Sequence, residues 1–397
     1  MNSKAKHIIF FIGLSLELTF CWVLVYQPEP TRDEPDACVA GPHSGVISSS
    51  QEWCVADNPH VVTGSVTVNA GVTLTIYPGV VVYFNPGTSL SVNGTLIATG
   101  TTDQSIVFTS AAGTPTPGDW GTINAGGGST LSMAYCDVGY GGGAAGNRGF
   151  YIVTSNVEIN TCRIHHVYGD GVRIEGTGLS PVFESVEIDS NTGWPIHQNA
   201  ISQSPTYVNL NFHDNFTDAL LIDNSNVGQD VTLDGSPAAL KGAPIYYGGG
   251  SIGAGYTLTV TPGTTLKMGN SSLSIAGGAT LIAEGTSGLP ITFTSQAVDP
   301  QPGDWGSINV NGDSHLSMAY CDVGYAGGAA GNRIFYIVSD DMQIRHSRIH
   351  HSQGVGVTID HESSMPVFED VEFDHNASWP ILQETISTNP TYINLYF

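Results

Sequence analysis

Basic residues are the scarcest feature of this sequence. Its 397 residues carry 11 Lys and Arg against 35 Asp and Glu, a formal charge of −24. Such a surface repels nucleic acid and anionic membranes, and it meets a polyanion only across a divalent cation. The acidity itself reads as solubility. No metal-ligating constellation is visible, and calcium is the one cofactor left open. Charged residues of both signs make up 12% of the chain, so long amphipathic helices lack their usual Glu and Lys. Six cysteines are present, and neither Cys38 nor Cys54 has a CxxC or Cys/His partner that would hold zinc. What is plentiful is Gly, at 49 residues, together with Ser, Thr, Asn, Val and Ile. That is the composition of short strands joined by turns.

A long apolar run occurs at the start: Lys4 and Lys6 precede Ile8–Tyr26, which is interrupted by Glu17. The run is long for a secretory core and just long enough to span a membrane. Residues 1–29 therefore read as a signal peptide or a retained signal anchor, the chain's sole expected link to a membrane. Phe20 before Cys21 disfavours lipidation. Residues 30–60 read as a lead-in linker, and the rest as exported, extracellular or at the cell surface. Cys38 and Cys54 are placed to close a small disulfide loop after export.

The stretch LSMAYCDVGY at Leu131–Tyr140 returns at Leu316–Tyr325. Around it, residues 118–212 align without gaps on 303–397 and match at more than half their positions. Upstream, Thr73–Phe84 answers Thr257–Met268 and Ile106–Ser110 answers Ile291–Ser295. The unit is about 185 residues, with one copy over 61–245 and a second over 246–397. The second stops at the counterpart of Phe212, in mid-strand, so a longer natural chain is expected. Inside each unit runs a finer period. Cys136, Cys162, Val186 and Leu210 form one column, and Val138, Ile164, Ile188 and Phe212 another, with polar residues between. Alternation of period two turns the columns inward. Short strands recurring every two dozen residues, with polar turns after each, describe a parallel solenoid, because one coil cannot bury its own inner face. An antiparallel sandwich would not hold one column at constant spacing.

The run VTVNAGVTLTIYPGVVVYFNPGTSLSVNGTLIATGTTDQSIVFTS, followed by PGDWGTI, resembles the right-handed parallel β-helix repeat proteins of the pectate-lyase-like class, in particular exported bacterial surface members. The resemblance spans 61–397. It implies an all-β, right-handed parallel β-helix in two tandem copies. It leaves function open, because this superfold carries lyases, hydrolases, epimerases, adhesins and scaffolds.

Catalytic signatures of such enzymes are missing or unmatched between copies. There is no Gly-His-Gly and no Asp-Pro-His-Asp. Gly169–Asp170–Gly171 faces Gly354–Val355–Gly356 in the second copy, Arg173 faces Thr358, and Ile359–Asp360–His361 faces Ile174–Glu175–Gly176. We therefore assign no catalytic residue. His165–His166 and His350–His351 occupy a turn slot filled elsewhere by Asp189–Ser190–Asn191 and read as turn residues. In LSMAYCDVGY, Cys136 and Val138 are read as packing and Gly139 as the corner. Aromatics that keep their place in both copies are Trp120 with Asp119, Trp305 with Asp304, and Trp194 with Trp379. Their rings and neighbouring carboxylates suit sugar stacking, if the rings are exposed. The expected function is a non-enzymatic scaffold or adhesion module that grips extracellular polysaccharide at sites recurring along the rod. The alternative is a polysaccharide lyase, hydrolase or epimerase.

Overall fold

The computed structural model describes residues 38–362, 364–385 and 389–397. The apolar segment at 1–29 lies outside the described residues. Among the described residues every strand ladder is parallel, in a β-solenoid of about 14 turns with one short α-helix and one 3-10 turn. Each coil has three faces, as in Thr95–Thr99, Ile106–Ser110 and Ile123–Ala125, which we call first, second and third. Of the segment read as a lead-in, residues 30–37 lie outside the described residues and 43–60 already belong to the solenoid: His43–Ile47 pairs with His60–Val68, and Gln51–Trp53 with Thr73–Ile76. Cys38 and Cys54 are disulfide-bonded beside it, 5.7 Å apart at Cα.

The register follows the columns. Val138 pairs with Ile164, Ile164 with Ile188, and Ile188 with Phe212. On the first face Leu74, Leu96, Leu131 and Val157 stack in the same way. These side chains are buried, apart from the half-buried Phe212. Cys136 is buried, and its backbone N–H donates to Cys162 Sγ at 3.3 Å. In the second half Ser347 Oγ accepts from Cys321 N at 3.0 Å instead. Burial pushes the Cys321 thiol up to about 12.

In the four coils from Thr130 to Ile222, two corners turn through a left-handed residue. The corner between first and second faces uses Tyr135, Thr161, Ser185 and Asn209, with φ of 51°, 49°, 53° and 54°. The corner between second and third uses Tyr140, His166, Ser190 and Asp214, with φ of 66°, 51°, 55° and 59°. The repeated stretch is corrected here: Tyr140, not Gly139, turns the corner. Gly139 instead makes room, because a Cβ there would lie 2.4 Å from the His165 ring, as one at Gly324 would lie 2.3 Å from His350.

The second half does not simply extend the first. The third-face strand Leu220–Ile222 pairs with Ile245–Tyr247, which pairs with Thr265–Met268. That last strand is the counterpart of Val81–Phe84, on the second face. One unbroken ladder thus serves as third face below and second face above. Meanwhile the first-face ladder ends at Thr206–Val208 and another starts at Val231–Leu233. Helix Pro237–Leu240 covers the step, where Ala238 and Ala239 carbonyls accept from Asn209 and Leu210 N–H at 2.8 Å each. Equivalent side chains of the two halves therefore point about a third of a turn apart around a three-faced rod. Sites of equal sequence do not recur along one side.

Candidate functional site

The tryptophans after Gly-Asp are interior residues. Trp120 and Trp305 are fully buried, and their Nε1–H donates at 2.8 Å to the carbonyls of Gly139 and Gly324. Trp120 also stacks on Phe84 at 4.2 Å. Neither indole offers a face to a sugar, which corrects that expectation. The loops before them fold over the second face and carry the rings inward. Asp119 holds its loop: it accepts from Ser110 Oγ at 2.7 Å, Thr116 N at 3.0 Å and Thr116 Oγ1 at 2.6 Å. Burial works to raise its pKa, but the bonds from Thr116 and Ser110 prevail and hold it low. Asp304 repeats the arrangement with Ser295 Oγ at 2.7 Å and Gln301 N at 2.9 Å. Both carboxylates are spent on loop structure.

The other two tryptophans reach the surface. Trp379 is 67% exposed, and Trp194 is half-buried. Trp194 meets Tyr246 edge-on at 5.2 Å and Phe216 at 6.2 Å, and Phe216 is 72% exposed. Lys267 lies 5.3 Å over the Tyr246 ring, with its Nζ donating to the hydroxyl at 3.4 Å. Phe216 and Tyr246 lie 22 and 52 residues beyond Trp194 (216 − 194; 246 − 194).

Beside this aromatic shelf, the third face of the first half gathers charge. Its outward column runs Tyr151, Arg173, His197, Leu221 and Tyr246 on successive strands. Asp170 Oδ1 accepts from Trp194 N at 3.1 Å, and its Oδ2 lies 2.9 Å from His197 Nδ1. His197 Nε2 lies 3.0 Å from Asp223 Oδ1 without hydrogen-bond alignment, so the imidazole bonds Asp170 and sits beside a second carboxylate. Its burial works to lower the pKa, but the bond and charge of Asp170 prevail and raise it. Arg173 reaches Glu175 at 3.3 Å and Asp170 at 3.7 Å. Asp170 and His197 are buried, whereas Asp223 and Glu175 keep about 40% of their side chains in solvent (43% and 38%). Exposed carboxylates and a guanidinium can bond hydroxyl groups, while the rings beside them take C–H faces. The counterparts in the second half, Val355, Thr358 and Leu382, carry no charge.

The histidine pairs sit at the second corner. His165 is buried, with Nε2 2.6 Å from Asp137 and Nδ1 2.8 Å from His166 Nδ1. His350 keeps the bond to His351 at 2.7 Å, while its Nε2 lies 3.0 Å from Asp322 Oδ1 without hydrogen-bond alignment. Neighbouring turns are satisfied as expected for short polar side chains: Asn191 accepts from Val167 N at 2.8 Å and donates to Asn215 at 2.8 Å. At the first corner two equivalent grooves open, of about 310 and 470 Å³, lined by Asp137, Arg163 and Glu187 and by Asp322, Arg348 and Glu372. Their arginines are already paired, Arg163 with Asp189 at 2.8 Å and Arg348 with Asp374 at 2.6 Å.

The sequence model of one family, described as a pectate-lyase-like β-helix domain, matches residues 45–172 and 227–330. A comparison with curated proteins finds no match. Among solved structures, one similar chain is the catalytic unit of a thermostable GH87 α-1,3-glucanase from Streptomyces thermodiastaticus, 12% identical with a TM-score of 0.32. That alignment covers 89% of this chain and 63% of the other. Another is the catalytic domain of a GH87 α-1,3-glucanase in complex with tetrasaccharides, 12% identical with a TM-score of 0.26, covering 88% and 63%. The chain thus spans less than two thirds of the length of either.

Proposed function

Given that the chain belongs to the pectate-lyase-like β-helix domain family, we propose that it is an exported, non-enzymatic scaffold that binds a polysaccharide on the third face of its first half. The observation that carries this reading is the junction of Trp194, Phe216 and Tyr246 with the bonded Asp170–His197 pair and the neighbouring Asp223. Aromatic faces bind sugars by stacking, and partly exposed carboxylates beside them select hydroxyl geometry. Asp170 is occupied by Trp194 N–H and His197, which suits a fixed support better than a group that must exchange protons. The net charge of −24 favours neutral glycans over uronic-acid polymers.

Binding of neutral and uronic polysaccharides to the purified chain tests this reading. Phe216→Ala and Trp194→Ala should each weaken binding at least about tenfold, in line with the loss of one stacked ring, while the β signature is kept. Unchanged binding overturns the site. The enzymatic alternative rests on the same buried Asp170 and its arginine neighbour. Any turnover of these polymers that Asp170→Asn abolishes would establish it in place of the scaffold.

A further inference from the structure

The second corner of the solenoid carries a contact that the glycan reading does not use. His165 Nδ1 lies 2.8 Å from His166 Nδ1, and His350 Nδ1 lies 2.7 Å from His351 Nδ1. Two ring nitrogens at that distance are held together by one shared proton. In each pair the first ring is buried, and the second is the half-buried left-handed residue of the corner, with φ of 51° at His166 and 50° at His351. The rings meet edge-on, at 88° and 90° between planes.

This geometry limits how many protons a pair can hold. Two neutral rings offer one Nδ1–H and one bare Nδ1, and a pair with one added proton still does. A second added proton sets N–H against N–H and places two positive rings side by side. The surroundings offer little relief. His166 faces Asp137, Arg163, Asp189 and the Tyr140 ring, but Asp137 already bonds His165 at 2.6 Å and Asp189 bonds Arg163 at 2.8 Å. His351 faces Asp374, Arg348, His375 and the Tyr325 ring, and Asp374 is gripped by Arg348 at 2.8 and 2.6 Å. Asp322 lies beside His350, at 3.0 Å from Nε2. The His375 ring stacks on His351 at 4.9 Å with 8° between planes. Burial first, and then the neighbouring imidazoles, hold the pKa of His166 and of His351 below the ordinary 6.5.

We propose that this corner is an acid-operated latch in both halves, closed while each pair of rings shares a proton and opened when both rings are charged and the corner ring turns out to solvent. The backbone bonds at the latch are long ones. Tyr140 and His166 N–H donate to the His165 and Asp189 carbonyls at 3.2 and 3.3 Å, and Tyr325 and His351 N–H donate to the His350 and Asp374 carbonyls at 3.3 and 3.2 Å. Because the folded values of His166 and His351 lie below the ordinary one, their contribution to stability is complete above pH 6.5 and is lost as pH falls through them. The same corner one coil on supplies a control, since Ser190 turns it at φ 55° and has no imidazole before it.

Hydrogen exchange of the full chain, read by mass spectrometry at about pH 7.5 and about pH 5 and corrected for the intrinsic pH dependence of amide exchange, tests the latch. Peptides carrying Tyr140–His166 and Tyr325–His351 should exchange at least about tenfold faster at the lower pH, as loss of one buried bond implies, while the corner at Ser190 stays unchanged. His166→Asn retains an amide that can donate to or accept from His165 but does not titrate, and Asn209 already occupies a left-handed corner at φ 54°. It should abolish the response in the first half and leave the second intact; His351→Asn should do the reverse. Equal corrected exchange at the two pH values in the unmodified chain, or a response that survives its own substitution, overturns the latch. Should a variant not fold, NMR titration of the imidazole C–H signals in the unmodified chain decides: His166 and His351 titrating as free rings overturns it, and titration below that range supports it.

Discussion

Gly139 sits in the stretch that the chain writes twice, and its replacement by alanine is the sharpest probe of why. A Cβ at this position would lie 2.4 Å from His165 Cε1 and 2.6 Å from Nε2. An ordinary contact there is about 3.5–4.0 Å, so the imidazole must move by more than an ångström. It is buried and held at both nitrogens, by Asp137 at 2.6 Å and His166 at 2.8 Å. Overpacking of this kind costs about 1–3 kcal/mol. Displacing the ring from its two bonds adds roughly 1 kcal/mol, taken at the low end because Asp137 is partly in solvent. Against that, exchanging glycine for alanine stiffens the unfolded chain and returns about 0.4–1 kcal/mol. The net expectation is a loss of about 1–3.5 kcal/mol, read as a lower urea midpoint at unchanged slope. His165→Ala removes the obstacle, so in the double variant the glycine substitution should cost less than about 1 kcal/mol, a strong coupling in a double-mutant cycle. A neutral Gly139→Ala, or one whose cost simply adds to that of His165→Ala, refutes the seat for the imidazole. Gly324 and His350 must behave alike.

Cys162→Ser should change stability by less than about 1 kcal/mol, because Ser347 already fills that place and accepts from the N–H of Cys321; a midpoint loss as large as a core deletion would contradict the column. His43, buried against Trp53 and His60, has its pKa pushed down to about 4 by burial and by the neighbouring imidazole. The folded value lies below the ordinary 6.5, so His43 contributes stability that is complete above pH 6.5 and is lost as pH falls toward 4. Hydrogen exchange should show the first coils, residues 43–68, opening in that window, and His43→Gln should flatten the response. Reduction of Cys38–Cys54, which closes a 16-residue separation, should cost the same coils about 3 kcal/mol, visible as earlier proteolysis near Trp53. Trp305→Phe keeps an aromatic ring but strands the Gly324 carbonyl, so a loss of about 1–3 kcal/mol is expected by thermal unfolding, with no effect on glycan binding.

Period and alternation are properties of neighbouring residues along the chain, and they were enough to place the inward columns. Val138, Ile164, Ile188 and Phe212 stack where their spacing puts them, because a strand one register out would turn its apolar side to water. The corner role of the histidine pairs was legible for the same reason. What surrounds a loop is decided by contacts distant in sequence. Trp120 is interior because its loop closes over Phe84, 36 residues earlier (120 − 84), which no local pattern records. Gly139 and Tyr140 exchanged roles because the clash that matters comes from the next coil. Asp170, His197 and Asp223 meet only through stacking of three successive strands. The step of one face in mid-rod depends on which strand Ile245–Tyr247 chooses to pair with, a tertiary choice that turns two nearly identical halves toward different sides.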